Sequence, residues 1–353
     1  MSSSTSSSDW RAFFRLAVGT AALVAGVIYA FVALVDPFDT LPLSPPADRV
    51  PVATNARFSF PALARSAYFD SAIFGTSTSR LLRPAVLNPL FGARFANLAM
   101  NDATIYEQSR LFTVFARAHP VARVVMIGLD VRACATGNSF QKLTDRPFPE
   151  WMYGSNQWRG YTEMFNLYAV QEAGQQFGIL LGIKREVYGR DGYTSFVPPD
   201  SEYDPSKVAA YMRVAGPDIP PGKRSGEPST WRYPAVQQIG ADLAELAEGT
   251  RKILFFVPYN HVLLPPVDSP GAAVWGECKR RVAQLAARTP NTLAVDFMLP
   301  SPITEADDNY WDSLHYRVGI ADRIVHDLDA ANRGATSDDY RVLSANGVKS
   351  ARR

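Results

Sequence analysis

The chain has 353 residues, of which 47% are hydrophobic, enough for one large core or two modest ones. Its 36 lysines and arginines nearly balance its 34 aspartates and glutamates. They form no basic block or RNA-binding signature, so nucleic acid is not an expected partner. The four histidines show neither an H-x-H nor an H-E-x-x-H spacing, so no metal site and no other cofactor are predicted.

The first feature along the chain is an uncharged apolar run, LAVGTAALVAGVIYAFVALV, at residues 16–35. As a helix it would span roughly 30 Å, the thickness of a bilayer core. Arg11 and Arg15 precede it and Asp36 and Asp39 follow it. The positive-inside rule therefore predicts a single-pass inner (cytoplasmic) membrane protein whose body faces the periplasm or outside. A cleaved signal peptide and a buried helix of a soluble protein are alternatives. The anchor is favoured because the run is long and no clear cleavage site follows it.

Strand-like and helix-like runs alternate after a proline-rich spacer. In chain order, the sequence predicts strands at 68–75 and 94–100, a helix at 105–119, a strand at 122–131, a helix at 236–249, a strand at 251–259, a helix at 278–289, a strand at 291–297 and a helix at 318–332. Such alternation predicts an α/β fold, with a parallel sheet between two layers of helices.

Residues at about 138–233 break this alternation, because they are rich in Tyr, Trp, Pro, Gly and charges. They are interpreted as an insertion, either for binding sugars or extended polymers or as a structural cap. The predicted segments are a cytoplasmic tail at 1–15, a transmembrane anchor at 16–35, a spacer at 36–57, an α/β domain at 58–332 containing the insertion, and a loose C-terminal tail at 333–353. Cys134 and Cys278 lack zinc-site spacing. They form either one disulfide or, as the favoured interpretation, two buried thiols.

Five polar loops follow the predicted strands. In chain order they read GTSTS, NLAMND, GLDVRA, PYNH and DNYWDSLHY. Because the carboxyl ends of parallel strands share one sheet edge, Ser77 of the first loop is expected near Asp312 and His315 of the last. A serine hydroxyl becomes a good nucleophile when a histidine takes its proton and a third group orients that histidine. Taken alone, Ser77 is more often a helix N-cap and His315 a structural histidine; the pairing and the order favour catalysis.

These loops resemble the sequence blocks of the SGNH/GDSL hydrolase superfamily over residues 66–135 and 250–328. Gly75-Thr76-Ser77 stands where that family has its Gly-Asp-Ser turn, and DSLH at residues 312–315 matches its terminal D-x-x-H. NLAMNDAT and VVMIGLD resemble the second and third blocks. The resemblance implies a three-layer α/β/α flavodoxin-like domain and an acyl-enzyme intermediate. Ser77 is the implied nucleophile, His315 the general base and then acid, and Asp312 the group that orients His315.

The resemblance also implies donors for an oxyanion, the first being the backbone N–H of Ser77. Ala99 stands at the position of the family's second-block Gly and still has an N–H group. Asp130 stands nearest the position of the third-block Asn, and an ionised carboxylate there would repel an oxyanion. Asn97 or Asn101 is therefore expected to supply the missing side-chain donor.

Further residues are expected to line the site from the same loops: Asp130, Arg80, Arg132 and His261. Arg80 and Arg132 are suited to an anionic substrate, and surface ion pairs are an equally good interpretation of both. For His261, the plainer interpretation is a position in a loop outside the site.

The single anchor resembles that of the membrane-tethered branch of the superfamily, which esterifies or de-esterifies envelope polymers. Examples are the D-alanyl transfer protein of lipoteichoic acid and the alginate O-acetylation proteins. The expected function is thus that of a serine esterase or O-acetyltransferase acting on a cell-envelope or exported polysaccharide. Its expected partners are the membrane, that polysaccharide or an acyl carrier, and a membrane-bound O-acyltransferase. The alternative is a catalytically silent SGNH-like subunit that binds polysaccharide or assembles with such an acyltransferase, and Asp130 favours it.

Overall fold

The computed structural model describes residues 7–137, 142–212 and 226–347. The chain divides into two compact units. The smaller comprises Met1–Thr54 and Glu150–Val187, and the larger comprises Asn55–Pro149 and Tyr188–Arg353. The residues of the predicted site all belong to the larger unit.

The larger unit is built on a six-stranded sheet with the order β2-β1-β3-β4-β5-β6. The strands are β1 (Ser71–Phe74), β2 (Phe95–Asn97), β3 (Val124–Leu129), β4 (Arg251–Phe256), β5 (Thr292–Asp296) and β6 (Arg341–Ala345). The first five pair in parallel, and β6 pairs antiparallel to β5. All six residues of β3 are buried, as expected for a near-continuous apolar strand covered on both faces.

Helices connect the strands and also form most of the smaller unit. They are α1 (Ser7–Val35), α2 (Ala56–Arg65), α3 (Ser77–Arg80), α4 (Pro84–Phe91), α5 (Ile105–Ala118), α6 (Gly160–Glu163), α7 (Leu167–Leu180), α8 (Pro205–Tyr211), α9 (Pro234–Ala244), α10 (Pro270–Arg288) and α11 (Val318–Asn332). Local signals account for several boundaries. A capping box between Thr104 and Glu107 begins α5, and Ser269 with Pro270 begins α10. The predicted α/β class, with a mostly parallel sheet, is confirmed.

The direction of the connections positions the site. The chain passes from β1 to β2 through α4 and then returns across β1 to β3 through α5. Right-handed crossovers therefore place α4 and α5 on opposite faces, and α11 packs with α4. The strand order reverses between β1 and β3, the position at which open α/β sheets leave a crevice for ligands.

The smaller unit contains the apolar N-terminal helix. The stretch Asp9–Val35 of α1 has a mean hydropathy of 2.3 and is long and apolar enough to cross a membrane. Helix α7 packs along α1, with the rings of Phe31 and Phe177 5.5 Å apart. The Tyr29 hydroxyl donates to the carbonyl of Tyr161 at 2.6 Å. Within the described ranges, this N-terminal helix is the one candidate membrane span.

The segment after α1 differs from the extended spacer expected at 36–57. The carboxylate of Asp36 accepts hydrogen bonds from the backbone N–H groups of Thr40 and Leu41, at 3.1 and 2.8 Å, and this closes a turn directly after the helix. Phe38 and Leu41 are buried, and the Phe38 ring stacks on Tyr168. The buried side chains of Phe38 and Leu41 thus hold the start of this segment in a folded conformation. The segment ends where α2 begins, at Ala56.

The C-terminal segment also differs from its expected form, a loose tail at 333–353. Residues 341–345 form β6 and pair with β5, and the backbone N–H of Asn346 extends the pairing by donating to the carbonyl of Thr292 at 2.8 Å. This edge strand is exposed or half-buried along its whole length, so it lacks the buried apolar run by which the other strands were predicted. Residues 348–353 lie outside the described residues.

The predicted insertion contributes to both units. Residues 150–187 belong to the smaller unit and contain α6 and α7, whereas residues 188–212 and 226–233 belong to the larger unit. Residues 138–141 and 213–225 lie outside the described part of the chain.

A disulfide joins Cys134 to Cys278 across 144 residues of sequence. It links the 3-10 turn Val131–Cys134, which follows β3, to the first half of α10, and both cysteines are buried. The favoured expectation of two free thiols was therefore wrong. The alternative, a single disulfide between the two cysteines, is what the structure contains. Such bonds persist in oxidising compartments.

Candidate active site

Ser77 begins α3, three residues after the end of β1. The turn between them uses Gly75, whose φ of +144° is unfavourable for residues with a side chain. A Cβ at Gly75 would lie 2.3 Å from Ser79 Oγ, so the turn also requires glycine for space. The result is a sharp strand-to-helix turn with the partly exposed Ser77 at the carboxyl end of the sheet.

Asp312 and His315 lie in a loop closed by aromatic residues. Tyr310 and Tyr316 form an isolated antiparallel bridge, and both are fully buried. Within the loop, Asp312 Oδ1 accepts the backbone N–H groups of Leu314 at 2.8 Å and His315 at 2.7 Å. The flanking aromatics thus anchor the loop in the core and leave the polar turn between them at the sheet edge.

The structure brings Ser77, His315 and Asp312 together in one chain of hydrogen bonds. His315 Nε2 lies 2.8 Å from Ser77 Oγ, and His315 Nδ1 lies 2.7 Å from Asp312 Oδ2. Burial raises the pKa of Asp312, but the hydrogen bonds and charge of His315 and the two backbone N–H groups outweigh it. The pKa of this carboxyl is therefore below its usual value. The carboxylate stays ionised at neutral pH and can hold a proton on Nδ1, which leaves Nε2 free to accept one from Ser77.

Tyr316 is a positioning residue that the sequence analysis missed. Its hydroxyl donates to the carbonyl of Thr78 at 2.6 Å, across 238 residues of sequence. This bond ties the loop of His315 directly to α3. An aromatic residue beside a predicted catalytic histidine was a visible signal, but its hydroxyl partner depends on the tertiary structure.

The predicted oxyanion donors fall into two groups. The amide of Asn97 donates to the carbonyls of Arg80 at 3.1 Å and Leu82 at 2.8 Å, and its Oδ1 accepts the N–H of Ala99 at 3.1 Å. Asn97 and Ala99 are thus engaged in holding the end of α3. By contrast, the Ser77 N–H and the Asn101 side chain form no hydrogen bond with any described residue, and Asn101 Oδ1 is buried. The loop of Asn101 runs beside Gly75, whose carbonyl accepts the N–H of Met100 at 3.0 Å.

Asp130 lies at the end of β3 and caps the turn that follows it. Its Oδ1 accepts the backbone N–H of Arg132 at 2.9 Å, and the Thr76 hydroxyl also bonds to it. Burial raises the pKa of this carboxyl, which is only 6% exposed. The structure therefore places Asp130 beside the Ser77 turn, in a capping role.

Two of the other predicted lining residues have partners elsewhere. Arg132 forms an ion pair with Asp102, and both side chains are exposed. His261 Nε2 lies 3.3 Å from Asp307 Oδ1. Neither residue has a described contact with Ser77, Asp312 or His315.

Arg80 is in a different situation, next to aromatic residues of the insertion. Its guanidinium carbon lies 4.9 Å from the ring centre of Tyr188 and 5.9 Å from that of Phe196. The Phe196 ring also contacts the ring of His315 edge-on, with centroids 5.2 Å apart. The contacts of Tyr188 and Phe196 with the site were not predicted, because no local sequence pattern showed which part of the insertion would lie next to the sheet.

Close packing behind Ser77 yields a first testable prediction. A Cβ at Gly128, the penultimate residue of buried β3, would lie 1.8 Å from Ser79 Oγ and 3.0 Å from Phe255 Cζ. Gly128→Ala is therefore expected to destabilise the larger unit by about 3 kcal/mol, because the surrounding side chains must move. A drop in melting temperature, followed by circular dichroism, measures this effect.

Gly276→Ala is the matched control. Gly276 lies on an exposed turn of α10, where a Cβ would meet nothing within 4 Å, so this change is expected to be neutral or slightly stabilising. Adding Ser79→Gly to Gly128→Ala removes the clashing atoms and should restore part of the stability. Equal melting temperatures for the two alanine variants would show that Gly128 is not closely packed against Ser79 and Phe255.

The described residues contain no group of three or more His, Cys, Asp or Glu side chains arranged to hold a metal ion. The chemistry available from the described side chains is that of a serine hydroxyl, an imidazole and a carboxylate in series. This set can transfer an acyl group through the serine. In comparisons with known proteins, no protein-family model matches the chain, and no curated protein sequence matches it.

Proposed function

We propose that this chain is a membrane-anchored serine esterase or O-acyltransferase, acting on an ester of a cell-envelope or exported polysaccharide. The observation that carries the proposal is the series of hydrogen bonds from Ser77 through His315 to Asp312, at 2.8 and 2.7 Å. Three residues from two distant segments meet in this order at the carboxyl edge of a parallel sheet. A helix cap or a structural histidine alone does not require this arrangement.

In the proposed reaction, Ser77 Oγ attacks the ester carbonyl while His315 Nε2 takes its proton. The tetrahedral oxyanion is stabilised by the N–H of Ser77 and the side-chain amide of Asn101. His315 then returns the proton to the departing alcohol oxygen, which leaves an acyl group on Ser77. Water or a sugar hydroxyl attacks this acyl-enzyme, with His315 acting as base and then as acid for Ser77. Asp312 holds the imidazole in the required tautomer throughout.

The topology supports membership of the SGNH/GDSL hydrolase superfamily. The first five strands follow the order 2-1-3-4-5, the flavodoxin-like order of doubly wound sheets, with helices connecting them on both faces. Ser77 and Asp130 follow β1 and β3, the two strands at which the order reverses. In this proposal, the sixth, antiparallel strand is an addition at the sheet edge.

Two features support a location outside the cytoplasm. Arg11 and Arg15 on the N-terminal side of the apolar span favour a cytoplasmic N-terminus and an external body. The Cys134–Cys278 disulfide belongs to the larger unit and suits an oxidising compartment such as the periplasm. A polysaccharide of the envelope, or one in the course of export, would be accessible there.

A second function is favoured by one observation, the Asp130 carboxyl beside the Ser77 turn. If the site has lost its oxyanion donor there, the chain is a silent SGNH-like subunit that binds polysaccharide or assembles with a membrane O-acyltransferase. This alternative predicts that Ser77→Ala complements a deletion strain as well as the wild type does.

The test is covalent labelling of the full chain in detergent with a fluorophosphonate. An activated serine is expected to form a stable phosphonyl adduct, and peptide mass spectrometry should locate it on Ser77 and not on Ser79, two residues away. Folded wild-type protein that shows no adduct on Ser77, while a known serine esterase is labelled in parallel, would favour the silent subunit.

A further inference from the structure

Arg80 is a buried cation with no acidic partner among the described residues. The side chain is 4% exposed, and its Nε is buried without a hydrogen bond. Arg57, another buried arginine, is 1% exposed and makes two hydrogen bonds with Glu107. Because an unpaired buried charge is costly, the chain supplies a carboxylate to Arg57 but leaves Arg80 without one.

The aromatic contacts of Arg80 compensate for only part of this cost. Tyr188 and Phe196 each face the guanidinium, at 4.9 and 5.9 Å, and such cation–π contacts hold the planar group in one orientation. These contacts leave the N–H groups of Arg80 available. The face of an aromatic ring attracts the cation but does not accept directed hydrogen bonds from the N–H groups at the edge of the guanidinium. An oriented guanidinium fork matches the two oxygens of a carboxylate or phosphate.

The location of Arg80 connects it to the proposed acyl-transfer centre. Arg80 follows Ser77 by three residues on α3, so both side chains lie on the same side of that turn. Phe196 contacts both the guanidinium of Arg80 and the ring of His315. A group bound by Arg80 is thus adjacent to the carbonyl that Ser77 would attack.

We propose that Arg80 binds an anionic group, a carboxylate or phosphate, that the substrate carries next to its reacting ester. The inference rests on the proposed acyl-transfer function and specifies its substrate class. The anion lies either in the alcohol part, as in an acidic sugar residue, or in the acyl part, as in a dicarboxylic half-ester. In either case a neutral ester leaves the buried cation unpaired and is a poorer substrate.

The experiment compares matched esters on the full chain in detergent. One arm uses 4-acetoxybenzoate and its neutral methyl ester, which place the charge in the alcohol part. The other uses p-nitrophenyl hemisuccinate and its methyl ester, which place it in the acyl part. Each wild-type kcat/KM is divided by the rate of spontaneous hydrolysis of the same ester. In at least one of the two arms, the resulting value for the anionic ester is expected to exceed that for the neutral ester by about 10- to 100-fold.

Arg80→Gln is expected to reduce this ratio at least tenfold, and Arg80→Lys to retain part of it, because lysine keeps the charge without the planar fork. Arg94→Gln is the charge-matched control. Arg94 lies at the opposite edge of the sheet, beside the start of β2, where it pairs with Asp70, so this variant should keep the wild-type ratio. A wild-type ratio near one in both arms would overturn the inference, even if Arg80→Gln does not fold.

Binding to the Ser77→Ala protein separates this inference from the proposed function. Calorimetry is expected to show 4-acetoxybenzoate or hemisuccinate binding to Ser77→Ala, and at least tenfold weaker binding when Arg80→Gln is added. If the wild type hydrolyses none of the esters but this binding is observed, the anion site stands and the esterase proposal fails. If hydrolysis is observed without charge preference or binding through Arg80, the esterase proposal stands and the anion site fails.

Discussion

Ser77→Ala and His315→Ala are each expected to reduce the esterase kcat by about 10⁴- to 10⁶-fold, to a residual rate that is still above that of uncatalysed hydrolysis. Ser77 Oγ is the atom that forms the acyl-enzyme. Among the described side chains, no other hydroxyl is hydrogen-bonded to His315 Nε2. Without His315, the hydroxyl keeps its proton and is a weak nucleophile. Initial rates with p-nitrophenyl acetate and full-length protein in detergent measure the loss.

The double variant provides the sharper test. Residues that act as one chemical unit are not additive, so combining Ser77→Ala with His315→Ala should cause no further loss beyond either change alone. Ser79→Ala and His326→Ala are the matched controls: Ser79 is buried two residues from Ser77, and His326 is exposed on α11. Multiplicative losses, or a Ser79→Ala variant as inactive as Ser77→Ala, would contradict the proposed unit.

Asp312→Asn is expected to lower kcat by about 10³- to 10⁴-fold with little change in the fold. The amide oxygen can still accept the two backbone N–H groups that Asp312 Oδ1 accepts, so the loop keeps its shape. The amide NH₂, however, would face His315 Nδ1 in place of Oδ2 and would require Nδ1 to be an acceptor. The imidazole proton would then lie on Nε2, which could no longer take the proton of Ser77.

The nitrogen chemical shifts of His315 report this change independently of activity, because the two tautomers have different spectra. Asp308→Asn is the control, since Asp308 is an exposed acid in the turn just before the same loop. It should retain both the wild-type rate and the wild-type tautomer. An Asp312→Asn rate within tenfold of the wild type would show that the carboxylate does not orient the base.

Much of the sheet was predictable because its strands are buried on both faces. The stretch Val124–Leu129 contains no polar residue. Helix Val318–Asn332 has the predicted boundaries because its apolar positions recur at helical spacing. Helix α10 begins at Pro270, earlier than its predicted start at Cys278, since a serine cap and a proline at the first turn outweigh the mixed composition there.

The proximity of Ser77 to His315 was predictable for a topological reason. Parallel strands end at one edge, so loops far apart in sequence meet there. The partners of Arg80 were not predictable, because Tyr188 and Phe196 reach it from an irregular segment whose path depends on packing across the whole domain. The disulfide could not be decided either, since a separation of 144 residues says nothing about distance in space.

The Cys134–Cys278 disulfide would hold the chain together after a single proteolytic cut between the two cysteines. The bond closes a covalent ring between Cys134 and Cys278, with Ser77 on the chain before the ring and His315 on the chain after it. A protease that cuts once anywhere between residues 135 and 277 leaves two fragments that the bond still joins. The nucleophile and its base therefore stay on one molecule after nicking, whereas in a reduced chain the same cut would leave them on separate polypeptides held by packing alone.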